Sequence, residues 1–225
     1  MTARRKATNI RRAAAEIDLV ADRQRALALV PVSRETAARL DCFVALLLQW
    51  QAKTNLIAPS TIGEIWTRHI ADSLQLLALA PQAKFWVDLG TGAGFPGVVI
   101  ACALAEQADA VVHLVESNQK KAAFLREAVR LTVAPAKVHA GRIEEFVTSD
   151  HVDVVTARAL TQLKNVLALA EPLLKTGALG LFLKGQDVEA ELTEASKYWT
   201  IAATLVPSKT SPAGRVVVIR KAERR

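Results

Sequence analysis

Thirteen residues, Phe85–Gly97 (FWVDLGTGAGFPG), constrain this chain more than any other stretch. An apolar strand runs into an acidic residue, a glycine-rich turn follows at once, and an apolar, helix-like run (VVIACALA) begins directly after it. An α/β protein uses this order to bring its main chain close to a nucleoside ligand. Glycines at 90, 92 and 94 leave room for that ligand and permit backbone angles closed to other residues. Pro96 suits the first turn of the next helix, where no N–H partner is needed. The free N–H groups of that helix then point at the turn. A ligand-free turn is the weaker explanation, because glycines this dense lower stability and pack nothing.

Two cofactor classes compete for the turn. From Gly92, the residues GAGFPG fit G-x-G-x-x-G, the dinucleotide fingerprint, and Glu116 follows at the distance of a ribose-binding acid. From Asp88, the pattern is D-x-G-x-G-x-G, which resembles the first motif of class I S-adenosylmethionine (SAM) methyltransferases. Charge separates the two. A carboxylate just before the glycines repels a pyrophosphate but suits a sulfonium and an ammonium. Asp88 therefore favours SAM over a nicotinamide dinucleotide.

At 225 residues the chain holds one sizeable α/β domain and an appendage. Its net charge of +7 favours anionic partners, nucleic acid first. Part of that excess lies at the ends: Arg4, Arg5, Lys6, Arg11 and Arg12, then Arg220, Lys221, Arg224 and Arg225. Solvated tails explain these as well as an RNA-binding arm does. Cys42 and Cys102 sit in apolar helical contexts without metal-ligand spacing, so no metal is expected and buried thiols in a reducing cytoplasm are. No apolar run is long enough to cross a membrane, and no secretory signal opens the chain.

Residues 1–32 read as a basic, flexible extension and 33–82 as an N-terminal helical cap. Within the cap, Ser33 caps a helix with Leu40, Phe43, Val44, Leu47 and Leu48 on one face, and a second helix runs from Thr61 to Pro81. Residues 83–225 form the cofactor-binding domain. Its strands are predicted at 85–89, 111–115, 137–140, 152–156, 178–184, 199–206 and 214–220. Helices are predicted near 96–107, 118–132, 161–175 and 187–197. Alternation of this kind predicts a Rossmann-like, mostly parallel seven-stranded sheet with helices on both faces. The last two strands have no helix between them, which predicts an antiparallel hairpin at the C-terminal edge.

Ligands of such sheets lie outside the carboxyl ends of the strands. The residues there are polar against apolar strands. Glu116 is placed to accept both ribose hydroxyls of an adenosine, although an acid also suits a helix N-terminus. In GRIEEF (Gly141 to Phe146), Ile143 would pack on the adenine and the main chain of the segment would meet its edge. Arg142 and Arg158 suit phosphate or guanine acceptors, unless they form structural ion pairs, for example with Glu144 or Glu145. Lys184 adds a third cation. His69, alone on a helix beside Arg68 and Asp72, reads as structural before catalytic. No G-x-S-x-G elbow and no phosphate loop is present.

Taken in order, several motifs resemble the bacterial small-subunit ribosomal RNA guanine-N7 methyltransferases, the RsmG or glucose-inhibited division protein B family. They are TNLIAP (54–59), RHIADSL (68–74), DLGTGAGFPG (88–97), LVES (114–117), KKAAFL (120–125), GRIEEF (141–146), TARAL (156–160) and LKGQ (183–186). The resemblance covers about 34–220 and implies a class I SAM-dependent fold. It implies methylation of guanine N7 in the decoding-region loop of 16S rRNA, with the small ribosomal subunit as partner. Cofactor contacts are expected at Asp88, Gly90, Gly92, Gly94, Phe95, Glu116, Ile143, Glu144 and Arg158. Arg142, Arg158 and Lys184 would hold the guanosine and its phosphates. A cytoplasmic monomer is expected. The alternatives are a SAM-dependent methyltransferase of another RNA or a small molecule, an NAD-dependent oxidoreductase, and a non-catalytic RNA-binding protein that keeps SAM.

Overall fold

A computed structural model describes residues 19–225. The basic cluster of Arg4, Arg5, Lys6, Arg11 and Arg12 lies outside the described residues. So does the question of whether it is an arm or a tail.

The strands are β1 (Phe85–Leu89), β2 (Val111–Val115), β3 (Ala136–His139), β4 (Val154–Arg158), β5 (Leu179–Lys184), β6 (Trp199–Pro207) and β7 (Arg215–Arg224). They form one seven-stranded sheet in the order β3-β2-β1-β4-β5-β7-β6. The first five pair in parallel; β7 runs antiparallel to β5 and to β6. The expected sheet and its antiparallel edge are therefore present, with β6 outermost. Strand order reverses between β1 and β4, the switch point where such sheets bind ligands. One strand starts two residues later than expected, so Thr156–Arg158 end β4 rather than follow it.

The helices are α1 (19–29), α2 (Arg34–Gln51), α3 (59–79), α4 (Gly97–Leu104), α5 (Gln119–Thr132), α6 (Leu163–Lys175) and α7 (Val188–Ala195). Side-chain caps fix two of the starts. Ser33 Oγ accepts from Thr36 N–H at 3.0 Å, and Asn118 Oδ1 accepts from Lys120 and Lys121 N–H at 3.0 and 3.1 Å.

Two expectations about the N-terminal region are corrected. Residues 19–29 are helical and packed, not a flexible extension. Ala26 is buried, and the buried carboxylate of Asp22 accepts from Trp66 N–H at 2.8 Å and Thr67 N–H at 3.2 Å. An acid–helix contact between residues 44 apart leaves no periodic trace in the sequence. Nor does α2 stand apart as a cap. Phe43 packs on Phe95 (ring centroids 5.4 Å) and on Phe124 (6.1 Å), so α2 shares one core with α4, α5 and the sheet. The opposite face of the sheet carries α6 and α7 over a second core that includes Phe182, Leu167 and Trp199.

The predicted second helix is present but irregular. It runs as a 3-10 turn (Pro59–Glu64), a π turn (Trp66–Ala71), a single α turn (Asp72–Leu74) and a 3-10 turn (Gln75–Leu79). Such local unwinding redirects side chains and is frequent at functional sites. Here it brings His69 and Asp72 over the end of β4.

Candidate active site

The turn after β1 is held from behind by Asp88. Its carboxylate is 1% exposed and accepts from Gly97 N–H at 2.8 Å, from Thr156 Oγ1–H at 3.0 Å and from Thr91 Oγ1–H. Burial pushes its pKa up to about 6, against the pull of these three hydrogen bonds. Gly97 has to be glycine, since a Cβ there would lie 2.3 Å from Leu114 Cδ2 and 2.7 Å from Asp88 Oδ2.

Across the turn stands Glu116 at the end of β2. Its Oε2 accepts from Gly92 N–H at 2.9 Å and its Oε1 from Asn118 N–H at 2.7 Å. Each oxygen therefore keeps a further lone pair. The turn, Glu116 and the segment 142–144 surround a cavity of about 580 Å³, within the size range of small-molecule sites. Gly90, Gly92, Phe95, Glu116, Arg142, Ile143, Glu144 and Arg158 all line it. A Cβ on Gly92 would meet only Gly90 O, at 3.8 Å, so the space beside this main chain is open.

Asp88 and Gly94 do not line this cavity. Asp88 points inward as the brace of the turn, and a Cβ at Gly94 would press on Val98 Cγ2 at 2.7 Å. Both are corrected from ligand contacts to supports. The correction also removes the ground on which Asp88 favours a sulfonium over a pyrophosphate, because its carboxylate is spent on the turn itself.

A second cleft, of about 680 Å³, lies beside the first. Residues Arg158 to Thr161 line both. The left-handed backbone at Ala159 (φ 50°) turns the chain sharply at this shared wall, a conformation rare for a residue with a side chain. Arg158 itself is nearly immobilised. Its Nη1 donates to Arg68 O at 3.1 Å and to Asp72 Oδ2 at 3.3 Å, and its Nη2 meets His69 Nδ1. The guanidinium also lies over Phe95, 5.5 Å from the ring centroid. Desolvation lowers its pKa from the ordinary arginine value, opposed by Asp72.

Asp72 ties this wall to the β6–β7 connection. It accepts from Thr210 Oγ1 at 2.8 Å, Ser208 Oγ at 3.3 Å and Gln75 Nε2 at 2.8 Å. Gln75 Oε1 in turn accepts from Lys209 N–H at 2.9 Å. Lys184 lines the second cleft only, where it donates to Glu191 at 2.7 Å and to Thr161 O at 2.6 Å. Thus Arg142 and Arg158 come together in the first cavity, while Lys184 shares a cleft with Arg158 alone. Arg142 forms no ion pair with Glu144 or Glu145 among the described residues. The sequence names Asp72 only as a neighbour of His69 and gives no sign of Gln75, Ser208 or Thr210. One signal was available: His69 and Asp72 are three apart on a helix and so share a face.

Comparisons with known proteins identify the family and the fold. The family model described as rRNA small subunit methyltransferase G (GidB) matches residues 36–215. A ribosomal RNA small subunit methyltransferase G from Bradyrhizobium sp. (strain ORS 278) is 61% identical over 215 residues, 95% of this chain and 97% of the relative. Its counterpart from Bradyrhizobium sp. (strain BTAi1) is 63% identical over 92% of this chain and 94% of its own length. Among solved structures, an O-methyltransferase from Bacillus cereus in complex with SAH superposes with a TM-score of 0.57 at 15% identity, over 92% of this chain and 100% of that one. TomG, an O-methyltransferase from Streptomyces achromogenes in complex with SAM, gives 0.53 at 15% identity, over 92% and 98%. The structural likeness establishes the fold, that of class I methyltransferases, and the sequence match over most of the chain establishes more: this protein is an enzyme of the rRNA small subunit methyltransferase G family.

Proposed function

We propose that the chain transfers a methyl group from SAM to N7 of a guanine in the decoding-region loop of 16S rRNA. The observation that carries this reading is the pair of cavities meeting at Arg158–Thr161. The first suits the cofactor. Glu116 retains acceptor capacity for ribose hydroxyls, Ile143 offers an apolar surface to the adenine, and the open space beside Gly92 permits close approach to its main chain. SAM, when bound, supplies an electrophilic methyl group on a sulfonium. The second cleft suits the guanosine, with Arg158, Lys184 and Arg215 among the residues that line it.

Guanine N7 carries a free lone pair, so no base has to deprotonate it before attack. The residues of the site fit that demand. Burial holds His69 neutral, and the carboxylates of Asp72 and Glu191 beside the shared wall are engaged by Arg158 and Lys184. The task left to the protein is to align the reacting groups and exclude water, which supplies roughly 7–11 kcal/mol when the geometry is right. An N–H donated to N7 would occupy the lone pair that reacts. The arginines therefore serve O6 and the phosphates and leave N7 bare. The net charge of +7 favours an rRNA partner, and a cytoplasmic monomer acting on the small subunit completes the reading. No helix among the described residues is long and apolar enough to cross a membrane.

The test is methyl transfer from radiolabelled SAM to purified small subunits and to their extracted rRNA, with the labelled nucleoside identified by mass. Label in 7-methylguanosine at one site is the expected result. Binding of SAM without label in either substrate would remove the rRNA assignment.

A further inference from the structure

We propose that His69 is a positioning residue for Arg158: a neutral imidazole, protonated at Nε2 only, whose Nδ1 lone pair fixes the plane of the guanidinium at the wall between the two cavities. The role in catalysis rests on the methyltransferase reading above; the tautomer and the contact do not.

The hydrogen-bond inventory determines the tautomer. Arginine has five N–H donors and no acceptor, so the ring nitrogen facing Arg158 Nη2 has to accept. That nitrogen is Nδ1, which leaves the proton on Nε2. On the other side, Nε2 meets Thr61 Oγ1 at 2.9 Å, and the same hydroxyl donates to Ala58 O at 2.8 Å. With its own proton given to a carbonyl, Thr61 Oγ1 is left to accept from Nε2–H. The chain Ala58 O, Thr61, His69, Arg158 therefore reads in one direction only. Burial, with Arg158 and Arg68 adding repulsion, pushes the His69 pKa down to about 3, so the acceptor persists at every pH at which the enzyme would work.

Position follows from what is spent. Arg158 gives three donations within the protein, to Arg68 O, Asp72 and His69, and keeps two N–H groups for a ligand. Because the three acceptors lie on one helix, α3, the direction of the remaining two is fixed before any ligand arrives. The His69 ring is further clamped by stacking on Phe95, 4.9 Å between centroids, and Phe95 belongs to the glycine turn. One imidazole thus couples the cofactor turn to the arginine at the shared wall. Loss of such an orienting partner misdirects a group without removing it, and small misplacements lower rates by about 100-fold.

Two readouts test this on the full-length protein. The first is the 15N shift of the His69 ring from about pH 5 to 8. An unprotonated Nδ1 and a protonated Nε2 across the range are expected, and a proton on Nδ1 would overturn the proposal whether or not the enzyme methylates rRNA. The second is a double-mutant cycle on methyl transfer. His69→Gln keeps an amide near Nε2 but loses the Nδ1 acceptor, and lowers kcat by about 100-fold. His69→Asn places its amide oxygen near Nδ1 and restores most of the rate. In an Arg158→Ala background His69→Gln changes kcat by less than about 2-fold. Equal losses in Asn and Gln, or additive effects in the cycle, would show that His69 only stabilises the fold. Thermal melting of each variant separates unfolding from misalignment.

Discussion

The two cavities that meet at Arg158–Thr161 are built in opposite ways. The first is built around consecutive main chain, a strand, a glycine turn and a helix, with Glu116 from the neighbouring strand holding Gly92 in place and segment 142–144 closing the side. The second is made by side chains from elements far apart in the sequence. Asp72 on α3 meets Thr210 between β6 and β7, across 138 positions. A site of the first kind tolerates change wherever main chain does the work and fails wherever a Cβ intrudes. A site of the second kind depends on networks, in which removing one partner leaves another buried group unsatisfied.

The largest expected effect lies where the two cavities join. Arg158→Ala should lower kcat by about 10²–10³-fold, the usual loss when a preorganised donor is removed. Melting curves should show a folded protein, because Asp72 keeps Thr210, Ser208 and Gln75. An Arg158→Ala variant that melts early and loses activity only in proportion would make this arginine structural and dissolve the link between the cavities.

Next come the glycines, which separate support from contact. Gly97→Ala drives a methyl group into Leu114 and Asp88 and should destabilise the fold by about 1–3 kcal/mol or more. Gly92→Ala finds open space, and its cost is the left-handed backbone at φ 59°, about 1–2 kcal/mol. The measurement is chemical denaturation alongside SAM binding. Gly97→Ala should cost more stability than Gly92→Ala, whereas Gly92→Ala should cost affinity relative to its small loss of stability.

A smaller effect comes from Glu116→Gln. One amide end would face an N–H where the carboxylate accepts from both Gly92 and Asn118, so SAM affinity should fall by about 10–100-fold with little change in the KM for rRNA. Calorimetry on the variant checks it.

A further effect is a pH dependence of stability at the brace of the turn. Asp88 has a folded pKa of about 6, raised above the unfolded value near 3.8. The native state therefore binds this proton more tightly than the unfolded chain does. Its contribution is fully present below the unfolded pKa and is lost as pH rises towards the folded one. Asp88→Asn offers an oxygen to Gly97 and Thr91 and an amide to Thr156 Oγ1. It should flatten that decline across the same window when unfolding is followed against pH. An unchanged profile would place the titrating group elsewhere.

The sequence made the first cavity legible and hid most of the second, for the same physical reason. Glycine spacing, a strand-end acid and helix N-caps are local, and each carries its cause within a few residues. The seven strands were legible because apolar runs alternate with helical periods, and even the hairpin edge followed from a missing helix. Asp88 was identified for the wrong reason, since a carboxylate beside glycines can face the ligand or brace the turn and only packing decides. Thr210 and Ser208 were invisible because their partners lie on other elements, and α1 was missed because Asp22 reaches α3 through a fold that spacing does not record.

Cofactor and substrate sides divide at the wall Arg158–Thr161. The direct measurement compares Glu116→Gln with Lys184→Ala, taking SAM affinity by calorimetry and the KM for small-subunit rRNA by methyl transfer. Lys184 lines the second cleft alone and holds Thr161 O at 2.6 Å. Weakened SAM binding confined to Glu116→Gln, with a raised rRNA KM confined to Lys184→Ala, is the result the account predicts. If both substitutions weaken SAM alike and leave the rRNA KM unchanged, the second cleft is not the substrate side and the account is wrong.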